Sequence, residues 1–486
     1  MLSFQSIKEY HTLLINGQMT CVEAVSYYLK NISATSHLNA WLEVFEAEAR
    51  ERAEKLDKET RSGTGLGKLH GVIIGLKDVI CFNGHKVSAS SRILEGFTSL
   101  FNATATQRLL DEGAIIIGRQ NCDEFAMGSS NENSAFGPVK NAIDEERVPG
   151  GSSGGSAVAV QTGNCMISLG SDTGGSVRQP ADFCGIVGFK PSYGTISRYG
   201  LIAYASSFDQ IGIFGKTVED VSLVLDVIAG PDEFDSTAYQ KPYSIFSDRE
   251  FTVPKQRICY FRDALEHASL DCTISDEIKD FISKLKTAGH EVKAIDFELF
   301  NYIVPTYYVL TTAEASSNLS RYDGIKYGYR NKKKEQSLTD VYTFSRSQGF
   351  GPEVKRRILL GTFVLSEGYY DAYFSKAQKV RKLLVEKTRT IFNKFDAIIL
   401  PTVPTPAYKI GEKKDPVEIF LADIFTVYAN LVGIPAISLP LFKNAQGLPF
   451  GLQVMTSQHN DAFLLHLSEL FMQISQPKMQ SICNSK

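Results

Sequence analysis

The period of hydrophobic and polar positions changes several times along the chain. Between residues 4 and 60 apolar side chains recur at helical spacing. They fall at Ile7, Tyr10, Leu13 and Leu14, then at Val22, Tyr27, Leu29 and Ile32, which predicts an N-terminal helical segment. Residues 61–68 hold three glycines and few apolar residues and read as a loop. From His70 to Val79 the pattern becomes a continuous apolar run, a buried strand with Lys77 near its end. Strand-like and helix-like stretches then alternate. A helix is predicted over 104–111, a strand over 114–118, a helix of small residues over 155–162 and a strand over 165–170. Residues 217–228 form an amphipathic helix, with Thr217 as N-cap and Glu219 and Asp220 in its first turn. A strand–helix–strand unit follows over 257–261, 274–286 and 291–295. After it come a long helix over 367–392, strands over 397–400, 436–439 and 450–455, and a closing helix over 461–472.

This alternation predicts an α/β fold, a large central mixed sheet with helices on both faces. No repeat at a fixed period and no low-complexity stretch interrupts it. The chain is therefore expected to form a single domain over 1–486, in which a helical segment, 1–65, packs on an α/β core, 66–475.

Composition narrows the classes. With 486 residues, 43% hydrophobic and 11% aromatic, there is ample material for a core. The net charge of −3 excludes bulk attraction to a polyanion. The short basic run at residues 332–334 reads as a solvated loop. The N-terminus lacks the basic and apolar regions of a signal peptide, and no apolar run reaches the roughly 18–20 residues of a membrane span. Eight cysteines are scattered with no Cys-x-x-Cys spacing. They are expected to be mostly reduced core residues of a cytoplasmic protein, with neither a disulfide framework nor a metal site.

The candidate chemistry sits in two glycine-rich turns. Ser152 lies in Gly-Gly-Ser-Ser-Gly-Gly-Ser, beginning at Gly150, and Ser176 lies in Asp-Thr-Gly-Gly-Ser-Val-Arg-Gln-Pro. A serine hydroxyl needs a base before it attacks, yet none of the eight histidines lies near either turn. Lys77 follows Val72-Ile73-Ile74-Gly75-Leu76, and burial in such surroundings favours the neutral amine a base requires. Gly174 and Gly175 let the backbone turn tightly, so that N–H groups of Thr173, Gly174, Gly175 and Ser176 converge as an oxyanion hole. Ser152 would relay a proton between Lys77 and Ser176. Taken alone, residues 150–156 would also suit a plain linker.

The stretches GGSSGGSAVAV and SDTGGSVRQPADFCGIVGFKPSYG resemble the amidase signature family. The resemblance implies Ser176 as nucleophile, Ser152 as a second serine on a cis peptide bond, and Lys77 as the lysine of the triad. Further stretches, among them CDEFAMGSSNENSAFGPVKNA, the EVKRR segment and ANLVGIPAISLP, are similar to one branch of that family. Its members hydrolyse glutamine inside a tRNA-dependent amidotransferase and pass ammonia to a partner subunit. That partner, with ATP and Mg, amidates misacylated Glu-tRNA(Gln).

The resemblance thus implies subunits B and C as partners, glutamine as substrate and no cofactor in this chain. It implies that Arg356 and Asp423 hold the glutamine, with Arg357 the alternative to Arg356, and that Tyr307 and the Met127-Gly128-Ser129 loop line the substrate. A stand-alone amidase acting on small amides is the other reading. Val177 and Asp182 depart from the family pattern. Asp182, six residues after Ser176, is expected to point away from the site, since its charge there would keep Lys77 protonated.

Overall fold

A computed structural model describes residues 4–62, 66–240, 254–332, 337–413 and 415–475. Cys483 and two of the three lysines at 332–334 lie outside the described residues. Eleven strands build one sheet: β1 (Trp41–Val44), β2 (Ile73–Lys77), β3 (Ile115–Gln120), β4 (Ile167–Asp172), β5 (Val187–Lys190), β6 (Gln210–Gly215), β7 (Arg257–Phe261), β8 (Glu291–Ile295), β9 (Ala397–Pro401), β10 (Ala436–Lys443) and β11 (Pro449–Met455). Their order is β1-β3-β2-β4-β6-β5-β10-β11-β9-β7-β8. The sheet is mixed, as the alternating pattern predicts. β2 is parallel to β3 and β4, β7 is parallel to β8 and β9, and the remaining neighbours are antiparallel.

Every residue of β2, β3 and β4 is buried. Strands covered on both faces bury both sets of side chains, which is why they read as apolar runs and not as alternation. Because these three strands are parallel, their C-terminal ends open on one edge. Lys77 closes β2, Asp123 follows β3, and Asp172 closes β4 ahead of the 173–176 turn. Outside the carboxyl ends of parallel strands is where α/β sheets place their chemistry.

The helix Val218–Ile228 is capped as predicted, Thr217 Oγ1 accepting from the Asp220 N–H at 3.1 Å. The first helix, Ile7–Ile15, rests on the core. Its Ile7 N–H donates to Asp220 at 2.8 Å, and Tyr10 Oη donates to the Gly71 carbonyl at 3.2 Å.

Two helical predictions are corrected. Residues 4–60 are not helical throughout, because Trp41–Val44 forms β1 and pairs antiparallel with β3 at the sheet edge. Four residues are too few to impose a strand period on the flanking helical pattern. Residues 367–392 are not one α-helix either. A π-helical turn, Asp371–Ser375, precedes the helix Lys376–Phe392, and the helix Pro352–Leu365 ends before it.

Among the described residues six cysteines are buried, Cys272 is exposed, and all seven are free thiols. No described helix is long and apolar enough to cross a membrane.

Candidate active site

β2 delivers Lys77 with no exposed surface. Its Nζ donates to three hydroxyls, Ser152 Oγ at 2.7 Å, Ser153 Oγ at 2.8 Å and Ser171 Oγ at 2.8 Å. An ammonium has three protons, and here each meets a neutral oxygen. Burial pushes the Lys77 pKa down to about 8, against the pull of the more distant Cys122, Asp123 and Asp172.

Ser152 stands at a cis peptide bond with Gly151. Residues 150–154 also spell Gly-x-Ser-x-Gly, the pattern of a nucleophile elbow, but here the hydroxyl meets a lysine. The two serine turns touch, the Ser153 N–H donating to the Ser176 carbonyl at 3.2 Å. Lys77 and Ser152 are sealed from solvent, whereas Ser176 keeps 7% of its surface. A small amide would therefore meet Ser176 first.

The 173–176 turn is held from behind. Asp172 accepts from the Gly175 N–H at 2.9 Å and the Val177 N–H at 3.1 Å. Arg178 grips the same carboxylate at 2.9 and 3.1 Å and also reaches Asn430, Gln453 and the Thr426 carbonyl. Burial opposes ionisation of Asp172, but the buried guanidinium beside it holds the carboxyl down at about 2. Of the predicted oxyanion donors, Gly175 thus already spends its N–H on Asp172. Both glycines of the turn are sterically required. A Cβ at Gly174 would stand 2.3 Å from Tyr307 Oη, and one at Gly175, where φ is +136°, would stand 2.3 Å from Thr426 Oγ1.

Tyr307 is therefore placed against the turn, and its neighbour on the same helix (Ile303–Asn318) opens the second half of the site. Tyr308 Oη donates to Asp423 Oδ2 at 3.0 Å, and Ser129 Oγ donates to the same oxygen at 2.9 Å. Burial lifts Asp423 to about 6, partly offset by these two hydroxyls.

The structure separates the adjacent arginines. Arg357 is buried, its Nε donating to Glu353 Oε1 and its Nη1 to Tyr204 Oη at 2.7 Å each. Arg356 pairs with the other oxygen of Glu353, lies 5.8 Å over the Phe420 ring and keeps 36% of its side-chain surface. Its buried Nε has no hydrogen-bond partner.

Gly128 is positioned by Asp123. A Cβ at Gly128 would overlap the Asp123 carboxylate, which accepts from the Asn131 and Asn133 N–H groups at 2.9 and 3.0 Å. The Asp123 N–H itself donates to the Ser152 carbonyl at 3.0 Å, tying the 127–129 loop to the serine turn. Asp182 points away from Lys77, as expected, accepting from the Gly451 N–H at 2.7 Å.

Sequence reasoning missed Ser153, Ser171, Asp172, Arg178, Asp123, Tyr308 and Glu353. Asp172 and Arg178 lay within the quoted motif, flanking the nucleophile, and could have been found there. Tyr308 and Glu353 carry no local signal. Among the described residues no group of three or more His, Cys, Asp or Glu side chains is placed to hold a metal ion.

The amidase family model matches residues 23–465. The chain belongs to the amidase family. This amidase is 45% identical over 489 residues to the A subunit of glutamyl-tRNA(Gln) amidotransferase from Chlorobaculum parvum, covering 100% of this chain and 99% of that one. It is 48% identical over 454 residues to the protein of the same name from Koribacter versatilis, with 92% and 93% covered. Its fold matches the crystal structure of the A subunit of glutamyl-tRNA(Gln) amidotransferase from Thermotoga maritima, with a TM-score of 0.77 at 38% identity over 95% of this chain and 93% of that one. A crystal structure of an amidase superposes with a TM-score of 0.82 at 27% identity, over 97% and 100%.

Proposed function

We propose that this chain is the glutaminase subunit of a tRNA-dependent amidotransferase, releasing ammonia from glutamine through Lys77, Ser152 and Ser176. The observation that carries the reading is the junction of two devices. A buried lysine on serine hydroxyls lies behind the 173–176 turn, and that turn touches Tyr307, whose neighbour Tyr308 braces Asp423. An amidase for simple amides needs only the first. Glutamine brings a carboxylate and an ammonium, which suit Arg356 and Asp423.

Neutral Lys77 takes a proton from Ser152, which takes one from Ser176. The Ser176 Oγ bonds to the side-chain carbonyl carbon of glutamine, and the N–H groups of the 173–176 turn hold the oxyanion, with that of Gly175 shared with Asp172. The C–N bond breaks, the nitrogen takes the proton back through the relay, and ammonia leaves. Water, activated by the same relay, cleaves the glutamyl ester and restores Ser176. Met127, Gly128, Ser129 and Tyr307 line the substrate.

Ammonia set free in water is protonated and lost, so it passes to a partner. That the relatives are named as subunits supports this, and subunits B and C, with ATP and Mg, are the proposed acceptors in the cytoplasm. The net charge of −3 fits a chain that leaves Glu-tRNA(Gln) to its partner.

The test is ammonia release from glutamine by the purified chain, alone and with subunits B and C, Glu-tRNA(Gln) and ATP. Weak release alone that rises strongly in the mixture is expected, with Ser176→Ala abolishing both. High activity alone on simple amides, indifferent to partners, would establish a free-standing amidase instead.

A further inference from the structure

The helix Pro352–Leu365 has one finished face and one bare face. Inside, it lies so close to the helix Ile303–Asn318 that a Cβ at Gly361 would stand 1.9 Å from the Thr312 carbonyl oxygen. That contact fixes the rotation of the helix. Outside, Leu359 is 70% exposed, and Leu360 and Phe363 are exposed with it. The stripe continues over the following turn, where Tyr369, Tyr370 and Tyr373 are exposed. The Phe363 ring lies 4.3 Å from that of Tyr369 and 5.7 Å from that of Tyr373. A contiguous apolar patch of this kind on a chain standing alone marks a surface that meets something.

Arg356, Leu359, Leu360 and Phe363 are spaced i, i+3, i+4 and i+7, so they share one face of the helix. The open edge of Arg356 is thus the beginning of the same stripe. We infer that this stripe is the docking face of a protein partner with an acidic rim, and that the docked partner forms the missing wall over Arg356. The inference rests on the glutaminase reading for the meaning of Arg356.

Charge selects the occupant. Among the exposed side chains of residues 352–392, Lys376, Lys379, Lys382, Lys387 and Arg389 stand against Glu367, Asp371 and Glu386, in a chain whose net charge is −3. A second copy of this chain presenting the same face would oppose like charges. The rings pack against one another tilted by 35–57°, which suits a cluster that receives apolar anchors better than a flat platform on which a base would stack. A protein surface with apolar anchors and carboxylates around them fits both features.

The experiment uses the full-length chain with purified subunits B and C. The triple variant Leu359→Ser/Phe363→Ser/Tyr373→Ser is compared with Leu100→Ser/Phe234→Ser, a pair 84% and 64% exposed elsewhere. Partner affinity is measured by calorimetry, alongside melting temperature and partner-free hydrolysis of glutamine. The expected result is a loss of partner affinity of about 100-fold or more in the triple variant, with melting temperature and partner-free rate unchanged and the control pair within about twofold. Should the triple variant melt early, Leu359→Glu alone, at the most exposed position, is expected to weaken binding without touching the core.

Wild-type affinity in these variants overturns the proposal. So does a loss confined to tRNA binding by the isolated chain. A wild-type chain that binds the partner subunits but releases no ammonia overturns the functional reading alone.

Discussion

Lys77 and Lys190 end two strands of the same sheet, and neither has exposed surface. Burial lowers both, Lys77 to about 8 and Lys190 to about 7. Their partners differ. Lys77 donates to three serine hydroxyls. Lys190 donates to the carbonyls of Pro191 and Ile434 at 2.7 and 2.6 Å, and to Gln210 Oε1 at 3.4 Å. A hydroxyl gives up a proton as readily as it takes one, but a carbonyl only accepts. The first arrangement is a relay, and the second is a strut that satisfies buried carbonyls. A perturbed lysine therefore does not mark an active site until its acceptors are named.

The most severe test of that contrast exchanges the bases. Lys77→Arg keeps the positive charge and some donors but cannot deprotonate, so glutamine hydrolysis should fall by about 10³-fold or more. Lys190→Met should leave the rate per folded molecule within about threefold, while unpaired carbonyls lower the melting temperature by several degrees. Equal losses of rate in the two variants would break the comparison.

A tenfold effect is expected from pH. Lys77 works as a base only when neutral, and the neutral fraction grows as pH rises through about 8. The rate kcat/KM for glutamine should therefore be about tenfold lower at pH 7 than at pH 9, with the profile approaching unit slope only below about pH 7. A profile flat across that range would remove Lys77 from the relay.

The smallest effect concerns a buried carboxyl outside the relay, Asp182. Burial lifts Asp182 to about 7, against the opposing effect of the Thr402 and Ser438 hydroxyls and the Gly451 N–H. Its folded pKa is above the unfolded one, so the folded chain holds a proton that the unfolded chain has released between about pH 4 and 7. Its contribution to stability is present below that window and lost as pH rises through about 7. Asp182→Asn should raise the melting temperature by about 1–3 °C at pH 8 and by nothing measurable at pH 4. The reverse dependence, read by calorimetry across that range, would show that the carboxylate is stabilised by partners.

The two lysines also mark how far the residues alone could be read. Val-Ile-Ile-Gly-Leu-Lys77 and Gly-Ile-Val-Gly-Phe-Lys190 have the same grammar, an apolar run with one glycine ending in lysine. Nothing local separates them. The apolar run suggested Lys77 and would have suited Lys190 as well, the resemblance to the amidases favoured Lys77, and only the folded turns supply the hydroxyls beside it.

Ser152 and Ser176 were legible because each sits in a contiguous glycine-rich motif, and most strands were legible because burial on both faces leaves unbroken apolar runs. The braces were not. Tyr308 reads as one more apolar position of a helix, and Glu353 as the ordinary acid of a first turn, until residues 129, 204 and 423 arrive from far along the chain. The arginine pair shows the same limit. Adjacent positions on a helix face different ways, and only packing turned Arg357 inward and left Arg356 partly exposed.

Asp423, Thr426 and Asn430 stand on one short stretch of backbone. Asp423 receives Ser129 and Tyr308, Thr426 Oγ1 donates to the Gly174 carbonyl at 2.7 Å, and Asn430 donates to the Asp172 carboxylate at 2.9 Å. The residue proposed to recognise the amino group of the substrate is thus built into the same eight residues that hold the turn beside the nucleophile. Selectivity and speed are then inherited together. A descendant that took up a different amide by reshaping this stretch would also disturb the turn that makes it fast, so new specificities should arise more readily from Arg356, which carries no such double duty.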